Sequence, residues 1–467
     1  MENGLEKQLD KSTTLENGWN VPGDSQFLYD TFACEAKILA LLDDNHQPVT
    51  HLNDDGYVVL DKTPFYATAG GQLHDIGVIN KDIIVDDVIK ANNGTHIHHV
   101  INAHLTVNDF VKAELNESQR QKLSNHHSAE HLLGAACMNI LGKTFKQVSA
   151  FKYPEKFTFE FEYPEKLTDG QLKDLTDWIN EQIQKRIPIT TLEMSLAEAK
   201  AIGAGADFEN VYEQIDGNLR VIKIGDISLE LCGGTHAHNT ADLETFVITE
   251  YYAKNSKIWR IDALTGNENY QTYLIKEQQK YVDEIISLKN EFKAAHLNEH
   301  AIDELCQEFW KAWENTPLWN HTKLFNQLKK QVSEVKTNLR KEQIQKNVEF
   351  LKAQFTAINA DKKLIILHGD FIEDGAITTA IYDLSRETAG EQFAVLVNDV
   401  KLRYFIGTNQ DVAKARSVNL NTLAQSINAV CFGRGGGKPS CVSGGSAQTD
   451  KLNDIITVLS ENGFTQH

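Results

Sequence analysis

Short apolar runs separated by turn residues fill the chain from Phe27 to about Leu115. Residues 57–60, 77–79 and 83–85 are such runs, with turn sequences such as Asn-Asp-Asp-Gly between them. Runs of this length bounded by Gly, Asn and Asp are typical of β-strands joined by tight turns. The pattern predicts a small β-barrel or β-sandwich over residues 26–115, and we expect the barrel. The polar residues 1–25 before it show no periodicity and are expected to form a disordered leader.

At residue 116 the pattern changes to a helical period that continues to about residue 141. Its apolar positions are Leu123, Ala129, Leu132, Leu133, Ala136 and Ile140. Residues 156–163 then alternate between polar and aromatic side chains, which predicts a half-buried strand. Capping signals and alternation predict further helices at 168–186 and from Ser195, and strands at 219–224, 228–231, 246–249 and 257–261. Residues 116–266 are therefore expected to form an α+β unit.

Residues 267–360 contain no glycine and carry two apolar stripes at spacings of three and four. The stripes are Tyr281, Ile285, Leu288, Phe292 and Ala295, then Leu328, Val332, Val335 and Leu339. Such stripes predict helices that each bury one face. The faces pack either against each other in an antiparallel hairpin or against a second copy of the chain in a homodimer. The segment is predicted to be a helical linker or dimerisation region.

Strand and helix patterns alternate in residues 361–467, which predicts a small C-terminal α/β domain. This domain contains the glycine-rich segment Gly433-Arg-Gly-Gly-Gly-Lys-Pro439. A nucleoside-triphosphate P-loop needs Ser or Thr after its lysine, and Pro439 stands there, so we reject that function. Backbone N–H groups of a glycine-rich loop can still hold an RNA phosphate. The predicted tRNA-binding residues are Arg434, Gly435, Gly436, Gly437 and Lys438.

Composition narrows the class of protein. The net charge of −19 argues against indiscriminate nucleic-acid binding. The acidic excess lies in residues 1–266, with 23 Lys and Arg against 40 Asp and Glu, whereas residues 361–467 carry 10 against 12. A polyanion is therefore expected at the C-terminal half. The six cysteines form no Cys-x-x-Cys pair, and neither a signal peptide nor a long apolar run is visible. These features predict a cytoplasmic protein without a membrane span.

Two short motifs carry the candidate chemistry. His127 and His131 lie four positions apart on the predicted helix and hence on one face. Cys232 and His236 follow a predicted strand on a Gly-Gly turn, where the glycines let the two side chains converge. Three imidazoles and one thiolate are a ligand set suited to zinc. Four protein ligands favour a structural zinc, whereas catalysis needs an open or displaceable position, and the motifs alone leave both alternatives open.

These motifs resemble the editing domain of alanyl-tRNA synthetases and of the freestanding AlaX editing proteins. The resemblance rests on TPFYATAGGQ at 63–72, HSAEHLL at 127–133, SLELCGGTH at 228–236 and RIDALTG at 260–266. The segment GRGGGKP at 433–439 is similar to the synthetase's C-terminal, DHH-associated domain. Together these stretches extend the resemblance over residues 27–467. The FYA and GGQ sequences resemble those of the synthetase more closely than those of the small freestanding proteins.

The resemblance implies a zinc-dependent aminoacyl-tRNA deacylase that hydrolyses Ser-tRNA(Ala), with Gly-tRNA(Ala) as a further candidate substrate. It implies zinc held by His127, His131, Cys232 and His236, with Thr63 sensing the serine hydroxyl and Gln72 lining the pocket. To these we add the N–H groups of Gly233 and Gly234 as oxyanion donors, beside the alternative that both glycines are purely conformational. Since a pocket tuned for alanine rejects serine weakly, a second hydrolytic site has a physical purpose.

Departures from the family pattern indicate altered substrate detail and not lost chemistry, because the four metal-ligand positions are kept. Thr68 and residues 257–259 replace the usual Glu and Gly-Val-Arg of the family. No counterpart of the aminoacylation domain is visible, so the chain is either a freestanding editing factor acting in trans or the C-terminal portion of an alanine–tRNA ligase. Met1 and the unpatterned leader favour the first. A third alternative is a tRNA-binding protein whose zinc is purely structural.

Overall fold

The computed structural model describes residues 21–22, 25–91, 93–142, 144–205, 218–368, 372–388 and 390–466. Most of the predicted leader, residues 1–20 and 23–24, lies outside this described part. The chain divides into two compact units, Met1–Lys280 with Thr316–Thr322 and Tyr281–Asn315 with Lys323–His467. Among the described residues, no helix is both long and apolar enough to span a membrane.

A closed β-barrel begins the first unit, as the spacing of apolar runs predicts. Its region contains β1 (Gln26–Phe27), β2 (Ala33–Asp43), β3 (Pro48–Val49), β4 (His51–Leu52), β5 (Gly56–Leu60), β6 (Lys62–Thr63), β7 (Gly77–Ile79), β8 (Ile83–Lys90), β9 (His96–Ile101), β10 (Leu105–Thr106) and β11 (Phe110–Leu115). Six strands follow the order β11-β7-β8-β9-β5-β2, and β11 pairs again with β2. The second pairing closes the sheet, and alternating residues such as Val58, Leu60 and Val85 fill its interior.

The 25-residue helix Glu117–Leu141, here called the histidine helix, follows the barrel. Asn116 caps it by accepting a hydrogen bond from the backbone N–H of Gln119. Ala129, Leu132, Leu133 and Ala136 are buried in one core with the aromatic residues Phe157, Phe159 and Phe161 of the next sheet. The helix is buried on all sides from Leu123 to Leu133, and its periodic apolar positions together with the cap at its start explain why the sequence pattern located it.

Two antiparallel sheets complete the first unit. Their strands are β12 (Lys146–Lys152), β13 (Phe157–Glu162), β14 (Ile189–Met194), β15 (Leu219–Ile224), β16 (Ser228–Leu231), β17 (Phe246–Ala253) and β18 (Ile258–Thr265), in the orders β12-β13-β18-β17 and β14-β15-β16. The helices are Asp169–Gln184, Leu196–Ala201 and the 3-10 turns Thr240–Leu243 and Leu318–Asn320. Capping boxes at Thr168 and Ser195 begin the first two helices, as predicted.

The helical region of the second unit corrects one prediction. The helices are Asn267–Ala294, which begins in the first unit, the 3-10 turn Glu299–Ile302, Asp303–Trp313 and His321–Ala357. Lys329 pairs with Glu284 at 2.9 Å, and Lys336 pairs with Glu291 at 2.8 Å. Both partners advance by seven positions in the same direction, so the two long helices run parallel rather than as the predicted antiparallel hairpin.

The apolar stripes of these helices meet each other within one chain. Tyr281, Ile285, Phe292, Phe325, Leu328 and Val332 are buried in a single core. Helix Asp303–Trp313 contributes Cys306 and Phe309 to the same core and occupies the connection between the two long helices. Intrachain packing therefore uses the buried faces, and a homodimer through this region stays a prediction.

The rest of the second unit is an α/β domain, as predicted. It contains β19 (Lys362–His368), β20 (Gln392–Asn398), β21 (Leu402–Thr408), β22 (Arg434–Lys438), β23 (Cys441–Ser446) and β24 (Thr465–Gln466) in the order β22-β23-β21-β20-β19-β24. Its helices are Asp374–Glu387, Gln410–Ala415, Leu420–Cys431 and Leu452–Glu461, with the 3-10 turn Thr449–Lys451. β20 pairs in parallel with β19 and antiparallel with β21.

The glycine-rich segment is an edge strand, not the predicted loop. β22 pairs with β23 along its whole length, and all its residues are exposed. A Cβ on Gly435 or Gly444 would lie 2.4 or 2.6 Å from the hydroxyl oxygen of Tyr404, so close packing of the two strands over this ring demands glycine. Asn421 donates to Gly437 O at 2.9 Å and accepts from Gly437 N at 3.0 Å. The Gly437 N–H is thus occupied, and the phosphate contacts of Arg434, Gly435, Gly436 and Lys438 stay predictions.

Candidate metal centre

The four predicted ligands converge in the first unit. One ligand atom from each of His127, His131, Cys232 and His236 lies within 4.8 Å of all the others. Cys232 Sγ is 3.2 Å from His127 Nε2 and 3.3 Å from His236 Nε2. The histidine helix supplies the first pair because positions i and i+4 share a face. The turn that follows β16 supplies Cys232 and His236, and Cys232 is the first residue after the strand.

Gln72 fixes the orientation of His127. Its amide oxygen accepts hydrogen bonds from His127 Nδ1 at 2.8 Å and from Thr235 N at 3.0 Å, while its amide nitrogen donates to Thr235 Oγ1 at 2.8 Å. Because the oxygen can only accept, Nδ1 carries the proton and Nε2 is left bare toward Cys232. Gln72 therefore contacts the candidate ligand His127 directly. The resemblance implies only that Gln72 lines the pocket.

The other two imidazoles have outer partners that the sequence analysis missed. Ser128 Oγ lies 3.1 Å from His236 Nδ1 and accepts a hydrogen bond from Ala237 N at 3.0 Å. A Glu230 carboxylate oxygen lies 3.4 Å from His131 Nδ1, which is an ion-pair distance, and this buried nitrogen makes no hydrogen bond. Outer groups of this kind orient ligating histidines and raise their basicity. Ser128 follows His127 directly and Glu230 precedes Cys232 by two residues, but this spacing alone did not indicate which ring nitrogen either residue meets.

Burial and neighbouring charges shift the pKa values of the three imidazoles in opposite directions. Burial, with the nearby charge of Lys152, lowers the pKa of His127 well below its usual range, and burial with His131 does the same for His236. These two rings are neutral at pH 7. For His131, burial also lowers the pKa, but Glu230, Cys232 and Glu130 raise it to about 10, so this ring must lose its proton when it ligates a metal. The donor set of three imidazoles and one cysteine sulfur fits zinc.

Steric contacts explain why glycine is required at position 234 of the Gly-Gly turn. A Cβ there would lie 2.0 Å from His127 Cε1 and 2.9 Å from the Gln72 amide oxygen, so a side chain would displace both. The Gly234 N–H points at Cys232 Sγ, 3.4 Å away. Arg220 donates to Gly234 O at 2.5 Å, and the Tyr29 hydroxyl donates to Gly233 O at 3.0 Å. Gly234 thus makes room and directs its N–H to the thiolate.

Thr63 lies at the start of the FYATAGGQ segment and is completely buried. His98 Nδ1 faces Val58 O at 3.0 Å and must donate to it, so His98 Nε2 accepts the hydroxyl proton of Thr63 at 2.7 Å. Thr63 Oγ1 also accepts from Phe65 N at 3.1 Å. Burial lowers the pKa of His98 to about 4, which keeps this ring neutral. These bonds use the donor and one acceptor position of the Thr63 hydroxyl.

A buried ion pair borders the cluster and was also missed. Glu130, between the two helix histidines, has one carboxylate oxygen 3.5 Å from Lys152 Nζ. Both side chains are almost fully buried, at 4% and 3% exposure. The order His-x-x-Glu-His at 127–131 was the available signal, because zinc proteases of one class carry that same order.

Comparisons with known proteins agree with the motifs. The family model described as "Threonyl and Alanyl tRNA synthetase second additional domain" matches residues 219–262, which include Cys232 and His236. The model described as "tRNA synthetases class II (A)" matches residues 2–119, which include the barrel.

Curated relatives extend the similarity along the chain. The alanine–tRNA ligase of Ureaplasma parvum serovar 3 is 37% identical over 93% of this chain and 48% of its own length. The ligase of Malacoplasma penetrans is 32% identical over 93% of this chain and 47% of its own. The chain therefore spans about half the length of the curated relatives it matches.

A solved structure, the C-Ala domain from Aquifex aeolicus alanyl-tRNA synthetase, covers 21% of this chain and 87% of that domain at 19% identity. Its TM-score of 0.19 is too low to indicate a shared fold. The family models and the ligases therefore show what the chain is similar to. Residues 2–119 and 219–262 match the two synthetase models, and most of the chain aligns with alanine–tRNA ligases.

Proposed function

We propose that this chain is a zinc-dependent deacylase that hydrolyses Ser-tRNA(Ala), with Gly-tRNA(Ala) as a second substrate. The observation that carries the proposal is the convergence of three imidazoles and one thiolate on one point, each imidazole with its own outer partner. The homology to alanine–tRNA ligases supplies the substrate, an aminoacyl ester at the end of tRNA(Ala). Editing is needed because binding alone separates serine from alanine weakly.

The proposal assigns a role to each residue in and around the four-ligand cluster. Bound zinc would polarise the ester carbonyl as a Lewis acid. His127, His131, Cys232 and His236 would hold it, and Gln72, Ser128 and Glu230 keep the three rings in place. The Gly234 N–H stabilises the thiolate, which leaves Gly233 as the oxyanion donor of the predicted pair. Thr63 offers its remaining acceptor position to the serine hydroxyl, and Arg434 and Lys438 contact the tRNA backbone.

The test is deacylation of purified Ser-, Gly- and Ala-tRNA(Ala) by the zinc-loaded chain without ATP. We expect hydrolysis of the serine and glycine esters, slower loss of the alanine ester, and arrest of all three by a chelator. Cys232→Ala and His131→Ala should abolish turnover. His238→Ala is the matched control, because this exposed histidine lies two positions beyond His236 and outside the cluster. The proposal fails if the zinc-loaded chain leaves Ser-tRNA(Ala) as stable as buffer does.

A structural zinc in a tRNA-binding protein is the second candidate function. The observation in its favour is that all four ligands come from the protein, as in closed tetrahedral sites. This alternative predicts tRNA binding without turnover and loss of folding when the metal is removed. Pre-charged tRNA added to the chain also tests action in trans, as opposed to action only within a complete ligase.

A further inference from the structure

Glu130 has a position that metal ligation does not explain. One carboxylate oxygen, Oε1, accepts a hydrogen bond from Gln147 Nε2 at 2.6 Å. The other, Oε2, lies 4.0 Å from His127 Nε2 and 3.9 Å from His131 Nε2. His127 Nε2 is the bare nitrogen that faces Cys232, so Oε2 borders the same small space as the ligand atoms. Glu130 nevertheless does not belong to the four-ligand cluster.

Lys152 holds this carboxylate from the other side. Its ammonium group lies 3.5 Å from Glu130 Oε2 and donates to Gly70 O at 3.2 Å. The backbone of Lys152 is itself tied to the Gly-Gly-Gln segment, since Lys152 N donates to Gly71 O at 2.7 Å. Removing two charges from water is costly, and apolar residues of similar volume often stabilise a core as well or better. Stability alone is therefore a poor reason for this ion pair.

We propose that Glu130 holds and activates the water that attacks the ester, an inference that rests on the proposed deacylase function. Within the described part of the chain, Oε2 is held by the ion pair with Lys152 and accepts no shorter hydrogen bond, so it has an acceptor position free. A gap of about 4 Å to the ligand nitrogens is too long for a direct hydrogen bond. Oε2 therefore faces the space beside the ligand nitrogens without bonding to either of them. Zinc hydrolases commonly place a glutamate next to a ligating histidine as the general base.

The proposed step balances without any further reactant. The water oxygen forms a bond to the ester carbonyl carbon, and one water proton passes to Glu130 Oε2. When the tetrahedral species collapses, the bond between this carbon and the ribose oxygen breaks. The ribose oxygen takes the proton from Glu130, which regenerates the carboxylate and leaves free amino acid and tRNA. Lys152 contributes by fixing the carboxylate through the ion pair.

Glu130→Gln tests the proposal, with Glu230→Gln as the matched control. We expect Glu130→Gln to lower kcat by about 10²–10⁴-fold, the usual share of a general base. Its KM, its zinc content and its affinity for a non-hydrolysable serine amide of 3′-amino-3′-deoxyadenosine should stay within about twofold of wild type. Glu230→Gln, which alters the partner of His131, should instead weaken zinc binding by about 10–100-fold and regain turnover in excess zinc.

A double variant separates catalysis from structure. Glu130→Gln with Lys152→Met removes both buried charges, so any loss that comes from an unpaired ammonium should be repaired. We expect the double variant to bind zinc and the amide analogue and to remain inactive. Recovered turnover in the double variant, or zinc loss in Glu130→Gln equal to that in Glu230→Gln, overturns the inference. If wild type itself hydrolyses no aminoacyl ester, the proposed function fails first and the inference with it.

Discussion

At the scale of single residues, the centre depends on the partners of the ligands as much as on the ligands. An imidazole binds a metal only through an unprotonated nitrogen, so something must hold the proton on the other nitrogen. Gln72 does this for His127 from a segment 55 positions away in sequence. The four ligands follow from their spacing in the sequence. Their partners required the fold, because no local spacing relates Gln72 to the histidine helix.

Replacing Gln72 by leucine should weaken zinc binding while leaving all four ligands in place. Leucine keeps most of the volume but removes the acceptor for His127 Nδ1 and leaves Thr235 N unpaired. We expect a fall of about 10–100-fold in zinc affinity, measured by competition with a chromophoric chelator. Gln47→Leu, at an exposed position on the barrel, is the control and should bind zinc as wild type does. Equal affinities in all three proteins would contradict this role for Gln72.

His98 should make the barrel sensitive to acid. Burial lowers its pKa to about 4 in the folded protein, below the ordinary 6.5, so the unfolded chain binds more protons between these values. Its contribution is full above pH 6.5 and is lost as pH falls toward 4. His98→Gln keeps a donor for Val58 O and an acceptor for Thr63 but cannot titrate.

Urea unfolding from pH 7.5 to 4 measures this contribution, with chelator present throughout so that zinc release is not recorded. Wild type should lose more stability over this range than His98→Gln does. The exposed His51→Gln variant should follow wild type. Parallel pH curves for wild type and His98→Gln would show that His98 titrates normally.

At the scale of elements, local patterns located strands and helices well and long-range geometry poorly. The histidine helix, β15 and β16 appear where alternation, periodicity and caps placed them. The direction of the helices in the second unit was wrong because stripe spacing is the same for parallel and antiparallel neighbours. The segment Arg434–Lys438 was misassigned because glycine usually favours loops, whereas here Tyr404 excludes a Cβ from the adjacent strands. Both errors arise from contacts between residues that are distant in sequence.

Cross-linking tests the parallel helix pair. In a Cys441→Ser background, which removes the exposed native thiol, the pair Glu284→Cys and Lys329→Cys should cross-link efficiently with a short bismaleimide. The pair Glu284→Cys and Lys336→Cys is the control. Seven residues separate Lys336 from Lys329, which is about 10 Å along a helix. Efficient cross-linking of the control pair and failure of the first would restore the antiparallel arrangement.

At the scale of the whole molecule, each compact unit has its own buried cores. The barrel and the core around the histidine helix belong to the first unit, and the helical and α/β cores belong to the second. All four candidate metal ligands lie in the first unit. The predicted tRNA contacts Arg434 and Lys438 lie in the second. Catalysis and part of the tRNA affinity are therefore expected to respond to different substitutions, and metal binding should act on the unit that holds the ligands.

Zinc should stabilise the first unit more than the second. A ligand that binds only the folded state, present at a thousand times its Kd, raises the free energy of unfolding by about 4 kcal/mol. The residues that would bind zinc lie on the histidine helix and on the turn from Cys232 to His236. Hydrogen exchange should therefore show stronger protection of residues 117–141 and 228–236 in the zinc-loaded protein than after chelation, with β20 of the second unit changed much less. Cys232→Ala should remove the difference, because three imidazoles without the thiolate bind zinc more weakly. A structural zinc requires in addition that chelation expose the whole first unit, whereas a catalytic zinc leaves the barrel and its core protected.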